Sequence, residues 1–543
     1  MSQPIEDIDE RAIMDAVTRD KPEVAITDST RSSRPVAVID IGTSSIRMAI
    51  AEISPTGDVR PLETLSQAVP LGKDTFTGGA IEKSTIEDCV EVLKSYRRVL
   101  HEYQIDREDQ IRAVATSAVR EAVNKLAFLD RVYIATGIQV EPIDEAEVNR
   151  ITYLGIEPFL QSHPALSSGS AIVTEVGGGS TEVLVMQSGN IAYSHTYRLG
   201  SLRLRETLQA FRAPTVKLRT IMESQIERTV EQILEHLPHD TSVEMIALGG
   251  DVRFAAAQLL PKWDTDNLGK LRVSALESFT NKILPLSVDK LVQKHHLSFT
   301  DAETLGPALL AYVMIARAMK LEHIYITNVN LRDGLLKEMA SRGVWTEAFS
   351  NQIVRSAVDL GRKFNFDEPH CMHVAHLSRL LFHELQPEHG LEARYEMILY
   401  IAAVLHEIGL FVSAASHHKH TQYLVVNSEL FGLTKKDVRL VALVARYHRR
   451  ASPKPTHQSY ATLDRESRVA VSKLAAILRV ADSLERSHSQ RINNIRCERE
   501  DGRLVISVPQ VDDLSLEQIA LKQKGALFEE TFGLKVLLRQ ARG

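Results

Sequence analysis

The chain has 543 residues, 44% of them apolar, and a formal net charge of −6. That length suits about three or four domains with full cores, and the acidic balance offers no global field for nucleic acid, so no nucleic-acid partner is expected. Its three cysteines, Cys89, Cys371 and Cys497, are far apart and form no CxxC pair, which argues against a disulfide framework or thiolate zinc and suits a reducing cytoplasm. No apolar run is long enough to span a bilayer, so no membrane partner is expected. Residues 1–34 are polar and lack a signal-peptide apolar region, and read as a mobile tail.

From residue 35 to about 164, strands and helices alternate. Residues 36–50 (VAVIDIGTSSIRMAI) run from an apolar strand through one acid, Asp40, into a small turn and a second β-prone run. Residues 111–117 (IRAVATS) form a strand ending in small polar residues, followed by a helix carrying Arg120 and Asn124. A short strand at 140–143 precedes a helix beginning near Asp144, with Glu145, Glu147 and Arg150. About 135 residues after the first loop, residues 171–185 (AIVTEVGGGSTEVLV) repeat its design with Glu175 as the acid. ALGGDVR (247–253), a helix over about 301–319 and a strand at 323–327 close this half. The alternation predicts α/β layering. From about residue 346 the pattern turns to long helices rich in histidine: His370, His373, His376, His383, His406, His417, His418, His420 and His448, with Glu407 directly after His406. After about Asn493, RLVISV (503–508) and a terminal helix suggest a small α/β piece.

The repeated loop carries the chemistry. A strand that delivers a carboxylate to a tight turn can present backbone N–H groups to phosphate, and two such loops can face each other across a cleft. Their carboxylates could then hold Mg²⁺ or position water. Each loop alone also suits an ordinary hairpin; the same acid at the same offset twice is what a hairpin does not require.

VIDIGTSSIR, ATSAVREAVN, RITYLGI, EVGGGSTE, RLGSLRL and ALGGDVR, with AAVLHEIGL and LVARYHRR further on, resemble the exopolyphosphatase and guanosine-pentaphosphate phosphohydrolase family from about residue 35 to the C-terminus. The resemblance implies two actin-like lobes (35–165 and 166–345), an HD-like helical domain (346–490) and a small C-terminal α/β domain (491–543), in a protein that is often a homodimer. It implies hydrolysis of terminal phosphate from inorganic polyphosphate, or from guanosine pentaphosphate, with Mg²⁺ (or Mn²⁺) and an attacking water. On this chain Gly42, Thr43, Ser44 and Ser45 and, in the second loop, Gly177, Gly178, Gly179, Ser180 and Thr181 would cradle phosphate. Arg120 would clamp an oxygen, and Asp40, Glu175 and Glu182 would hold metal or its water.

Two departures bear on activity. Glu175 replaces the family's aspartate, a change of one methylene, roughly 1.5 Å. In the helix after Ile143, an ungapped match puts Val148 where the family has its water-orienting acid, with Glu147 on the preceding acidic position. Valine cannot accept a proton. Either Glu147 or Glu145 substitutes, with Glu147 the candidate base, or catalysis is weak, or the lobe is a sensor that binds polyphosphate or a guanine nucleotide such as guanosine tetraphosphate without cleaving it. In the histidine-rich region, His370, His406–Glu407 and Asp482 are similar to the metal site of HD proteins; histidines spread along helices also suit plain interhelical hydrogen bonds. Residues 435–491 hold thirteen Lys/Arg against five Asp/Glu. Arg449 and Arg450, beside His448, would lie in a groove that guides a polyanion; the plainer reading is a solvated cationic face.

Overall fold

The computed structural model describes residues 33–163, 166, 169–210, 217–238, 243–341, 345–449, 451–511 and 513–541. The expected tail at 1–34 lies outside them but for its last two residues, as does Arg450.

Two sheets repeat one plan. The first is ordered β3-β2-β1-β4-β5, with β1 Arg34–Ile41, β2 Ser45–Ile53, β3 Val59–Ala68, β4 Ile111–Ala115 and β5 Val140–Pro142. The second adds one strand to the same order, β8-β7-β6-β9-β11-β10, with β6 Ser170–Val176, β7 Thr181–Gln187, β8 Asn190–Tyr197, β9 Val243–Leu248, β10 Gly269–Arg272 and β11 His323–Ile326. β1 and β6 are central, each antiparallel to the strand after its loop and parallel to β4 or β9. Central strands are covered on both faces, which is why both are near-continuous apolar runs. The register is also repeated: Asp40 pairs with Arg47, and Glu175 with Glu182.

The helix expected to carry Arg120 and Asn124 is two helices, Ser117–Glu121 and Lys125–Thr136. Asn124 is pulled out between them because its amide both accepts from and donates to the Ile81 backbone, at 3.0 and 2.8 Å. Helix Glu145–Ser162 starts on Asp144, whose Oδ1 accepts from the Glu147 N–H at 2.9 Å. Its Oδ2 accepts from the Lys435 N–H at 2.7 Å, in the first turn of helix Lys435–Arg446.

Helices from Glu347–Lys363 to Arg465–Leu484 build the histidine-rich region. Its apolar core runs on into one face of the second sheet, through Tyr153, Phe349 and Phe431, whose rings lie 5.6–6.0 Å apart. The C-terminal piece is a three-stranded sheet of Arg496–Glu500, Arg503–Val508 and Lys535–Gln540. The last described element is therefore a strand, not a terminal helix; KVLLRQ is short and mixed, and pairs only because Arg503–Val508 lies beside it. Among the described residues no helix is long and apolar enough to cross a membrane.

Candidate phosphate-binding cleft

The two acid-bearing loops have the same internal geometry. Gly42 N–H donates to Ser45 O at 3.0 Å, and Gly177 N–H to Ser180 O at 2.9 Å. Each loop is also gripped from behind by the start of a later helix. Val69 and Gly72, beside and within helix Leu71–Gly78, donate to the carbonyls of Ser44 and Thr43. Ser201 and Arg203, in helix Ser201–Ala210, donate to the carbonyls of Gly177 and Gly178, and Arg203 Nε to that of Gly179 at 2.8 Å. In a trans peptide the C=O and the next N–H point oppositely. Carbonyls held on the outer side thus leave the N–H groups of Ser44, Gly178, Gly179 and Ser180 for the inner side, the arrangement that binds anions.

The loops meet. A side chain at Gly178 would put its first carbon 2.2 Å from Thr43 Oγ1, and one at Gly179 would come 2.3 Å from Ser117 Oγ. Between them lies a cavity of about 310 Å³, lined by both loops and by Asp40, Arg47, Ser117, Arg120, Val148, Glu175, Glu182 and Asp251.

Its charges are mixed and enclosed. Burial pushes Glu182 up to about 7, helped by Glu175 and opposed by Ser180, whose Oγ donates to it at 2.5 Å. Burial also raises Glu175, against the pull of Arg253. Asp251 rises to about 7 through burial, with Thr304 Oγ1 donating at 3.2 Å. Asp40 lies 3.6 Å from Arg332. Arg120 is aimed by its Nη1, which donates to Ile143 O at 3.0 Å, and its Nε lies 3.5 Å from Glu145.

The donor set suits a hard cation, since Asp40, Glu175, Glu182 and Asp251 offer only carboxylate oxygen. They do not close into a three-ligand cluster: among the described residues the single such group is His370, His406 and Glu407. A divalent ion held there would therefore have one or two of these carboxylates as ligands.

Several sequence expectations need correction. Glu147 is not in the cleft. It turns to the other side of its helix, to Arg112 at 3.0 Å and Arg150 at 3.7 Å, while Val148 faces the cavity, because adjacent helical residues point about 100° apart. Glu145 turns outward to Lys435. Thr181 does not line the cavity; its buried hydroxyl donates to Leu199 O at 2.5 Å and fixes β7. Gly42 and Gly177 line it, but their N–H groups close their own turns. Helix Lys435–Arg446 ends before Tyr447-His448-Arg449, so these do not continue it. His448 is buried against His406 and His417, and Arg449 lines no part of the cleft. Much of the basic stretch has internal partners: Arg479 donates to Tyr447 O and Ala451 O, Lys436 pairs with Asp464 and Arg491 with Glu517. Asp482 pairs with Lys524 rather than joining His370 and His406.

Sequence reasoning missed Arg47, Asp251 and Ser117. The register gives the first away, since Arg47 stands where Glu182 stands in the second loop. Asp251 follows Gly249, whose φ of +114° suits glycine, in the first turn of helix Gly250–Leu259.

Over residues 49–342 the chain matches the Ppx/GppA phosphatase family, and over residues 354–525 that family's domain III. The chain belongs to the Ppx/GppA phosphatase family. A relative from Photobacterium profundum, a guanosine-5'-triphosphate,3'-diphosphate pyrophosphatase, is 21% identical over 443 residues, 81% of this chain and 86% of that one. An exopolyphosphatase from Cytophaga hutchinsonii matches in structure with a TM-score of 0.50 at 20% identity, over 57% of this chain and 99% of that one. The two lobes of this Ppx/GppA phosphatase thus share the fold of that exopolyphosphatase.

Proposed function

We propose that the protein hydrolyses the terminal phosphoanhydride of long inorganic polyphosphate. The observation that carries this reading is the meeting of two equivalent N–H-bearing loops over one cavity that also holds Arg120 and buried carboxyls. Phosphoryl transfer needs positioning and charge neutralisation more than covalent help. The N–H groups of Ser44, Gly178, Gly179 and Ser180 and the hydroxyls of Thr43, Ser44 and Ser117 would bind phosphate oxygens. Arg120, held by the Ile143 carbonyl, would add a fixed fork of donors. Mg²⁺ or Mn²⁺, when bound by Asp40 and Glu175, would supply further neutralisation. Glu182 would hold the water and take its proton, since a carboxyl near 7 is matched to base chemistry at neutral pH. Val148 leaves the wall beside that water apolar, so turnover is slow.

Guanosine pentaphosphate is the second reading, favoured by the Photobacterium profundum relative. Orthophosphate release from long polyphosphate and from guanosine pentaphosphate, each with and without Mg²⁺, tests both. Metal-dependent release from polyphosphate is expected to dominate; release from the nucleotide alone would select the second reading, and release from neither would overturn both.

A further inference from the structure

Behind the phosphate cleft one hydroxyl stands between two strands. β6 and β9 run parallel, and Glu175 opposite Leu248 is their last pairing. The Gly177 N–H points across the turn to Ser180 O, on the β7 side, so the Val176 N–H points toward β9. The next rung of the ladder would therefore run from Val176 N–H to Leu248 O. That rung is not made directly. Tyr312, in helix Phe299–Ala318, fills it: its hydroxyl accepts from the Val176 N–H at 2.8 Å and donates to Leu248 O.

The ring is fully buried, and burial pushes the phenol well above its ordinary range, so its proton stays available to Leu248. A buried tyrosine hydroxyl usually finds one partner; this one has two, on different strands. A direct N–H···O bond spans about 2.9 Å, and an interposed oxygen widens that gap to roughly 4.5 Å. The gap lies at the root of two cleft segments. Glu175 comes directly before Val176, and Gly249, Gly250 and Asp251 follow Leu248; all four line the cavity, and Tyr312 does not. The fit is close, since a side chain at Gly249 would put its first carbon 2.9 Å from the Tyr312 hydroxyl and 3.8 Å from Glu175 Cγ. About two turns earlier in the same helix, Thr304 Oγ1 donates to Asp251 at 3.2 Å. One helix thus fixes both the gap and the carboxylate beyond it. The phosphate-binding turn has a separate grip, because Ser201 and Arg203 hold the carbonyls of Gly177, Gly178 and Gly179.

We propose that Tyr312 is a positioning residue: its hydroxyl, wedged into the β6–β9 ladder, sets the distance between Glu175 and Asp251 and so the carboxylate edge of the cleft. The kinetic consequence rests on the hydrolysis proposed above; the spacing does not.

Tyr312→Phe in the full-length protein keeps the ring and deletes the wedge. Crystal structures of both proteins should show Val176 N and Leu248 O closed to about 2.9 Å in the variant, with Glu175 carried toward Asp251. A misplacement of about 1 Å costs roughly a hundredfold, so kcat for orthophosphate release from polyphosphate should fall by about that factor. KM should stay within about twofold, because the turn and Arg120 are untouched. A tyrosine that only supports the fold would not split kcat from KM. Tyr460→Phe deletes another buried hydroxyl, which donates to Arg468 O at 3.2 Å in the histidine-rich region, and should leave kcat unchanged. Gly249→Ala keeps the Tyr312 hydroxyl but drives it from the gap; it should repeat the split, and it carries the test if melts show Tyr312→Phe unfolded. If the wild type releases no orthophosphate, the proposed function falls and the crystal spacing alone decides the role of Tyr312. A gap unchanged in Tyr312→Phe, or a kcat within about threefold of wild type, would overturn the assignment.

Discussion

Val148→Glu is the most direct perturbation of the cleft. Val148 is 8% exposed and packs with Val36, Val38, Ile151 and Leu335 while facing the cavity. Removing its buried methyls costs about 1.5–3 kcal/mol, a fraction of the roughly 5–15 kcal/mol that holds a domain together. The new carboxylate is longer than valine and reaches into the cavity, where Arg120 offsets part of its desolvation. A positioned general base is worth roughly a hundred- to ten-thousandfold, about 2.7–5.4 kcal/mol of barrier. Because Glu182 already supplies part of this, we expect a rise of roughly ten- to a thousandfold in the rate of orthophosphate release from polyphosphate. Polyphosphate affinity should change little, since the loops and Arg120 are untouched. Glu147→Gln is the control: it breaks contacts to Arg112 and Arg150 outside the cleft, and should leave the rate of the Val148→Glu protein intact. A rate that Val148→Glu does not raise, in a folded protein, would refute the argument that valine removed the water-orienting group. Fast turnover of the wild type that is lost in Glu182→Gln would place the whole of that work on Glu182.

Arg120→Ala should lower kcat/KM for polyphosphate by roughly a hundredfold or more with an unchanged melting temperature, and Arg120→Lys should not restore it, because a point charge cannot replace the fork. Glu182 and Asp251, each raised to about 7, bind protons more readily folded than unfolded. They favour the fold fully below about pH 4 and lose that effect as pH rises through 7. Melts of chelator-treated protein should therefore fall across this window, Glu182→Gln should flatten the fall, and Mg²⁺ should raise the midpoint more at pH 8 than at pH 5. Gly178→Ala brings a methyl within 2.2 Å of Thr43 Oγ1, so it should part the loops and weaken phosphate binding, which equilibrium titration with a short polyphosphate can read. Replacing Arg449 and Arg450 together with Gln should leave the ratio of long-chain to short-chain binding unchanged at two ionic strengths, as a solvated face would; a flattened salt dependence of long-chain binding alone would restore the polyanion groove.

The duplicated loops are legible in the sequence because an apolar strand, one acid and a small turn are local features, and they recur at the same offset. Their meeting over one cavity follows from that repetition. What local pattern does not reveal is direction. Glu147 and Val148 are neighbours in sequence, and only the docking of their helix decides that the valine enters the cleft. Thr181 and Ser180 look alike as hydroxyls, yet the Leu199 carbonyl takes one of them away from the site. His448 reads with Arg449 as part of a cationic face, because sequence does not tell a surface turn from a ring folded inward against His406. The three-stranded C-terminal sheet is only half legible, since strands of mixed composition gain their order from partners distant in sequence.

Asp144 is a shared fastener. One carboxylate oxygen seats the helix that bears Val148, the other seats helix Lys435–Arg446 from the histidine-rich region. The residue just before it, Ile143, supplies the carbonyl that aims Arg120. A swing of the histidine-rich region relative to the lobes must either drag this junction along or tear one oxygen free. The seating of the histidine-rich helices, the aim of the Arg120 guanidinium and the placing of Val148 in the cavity wall thus meet at two consecutive residues.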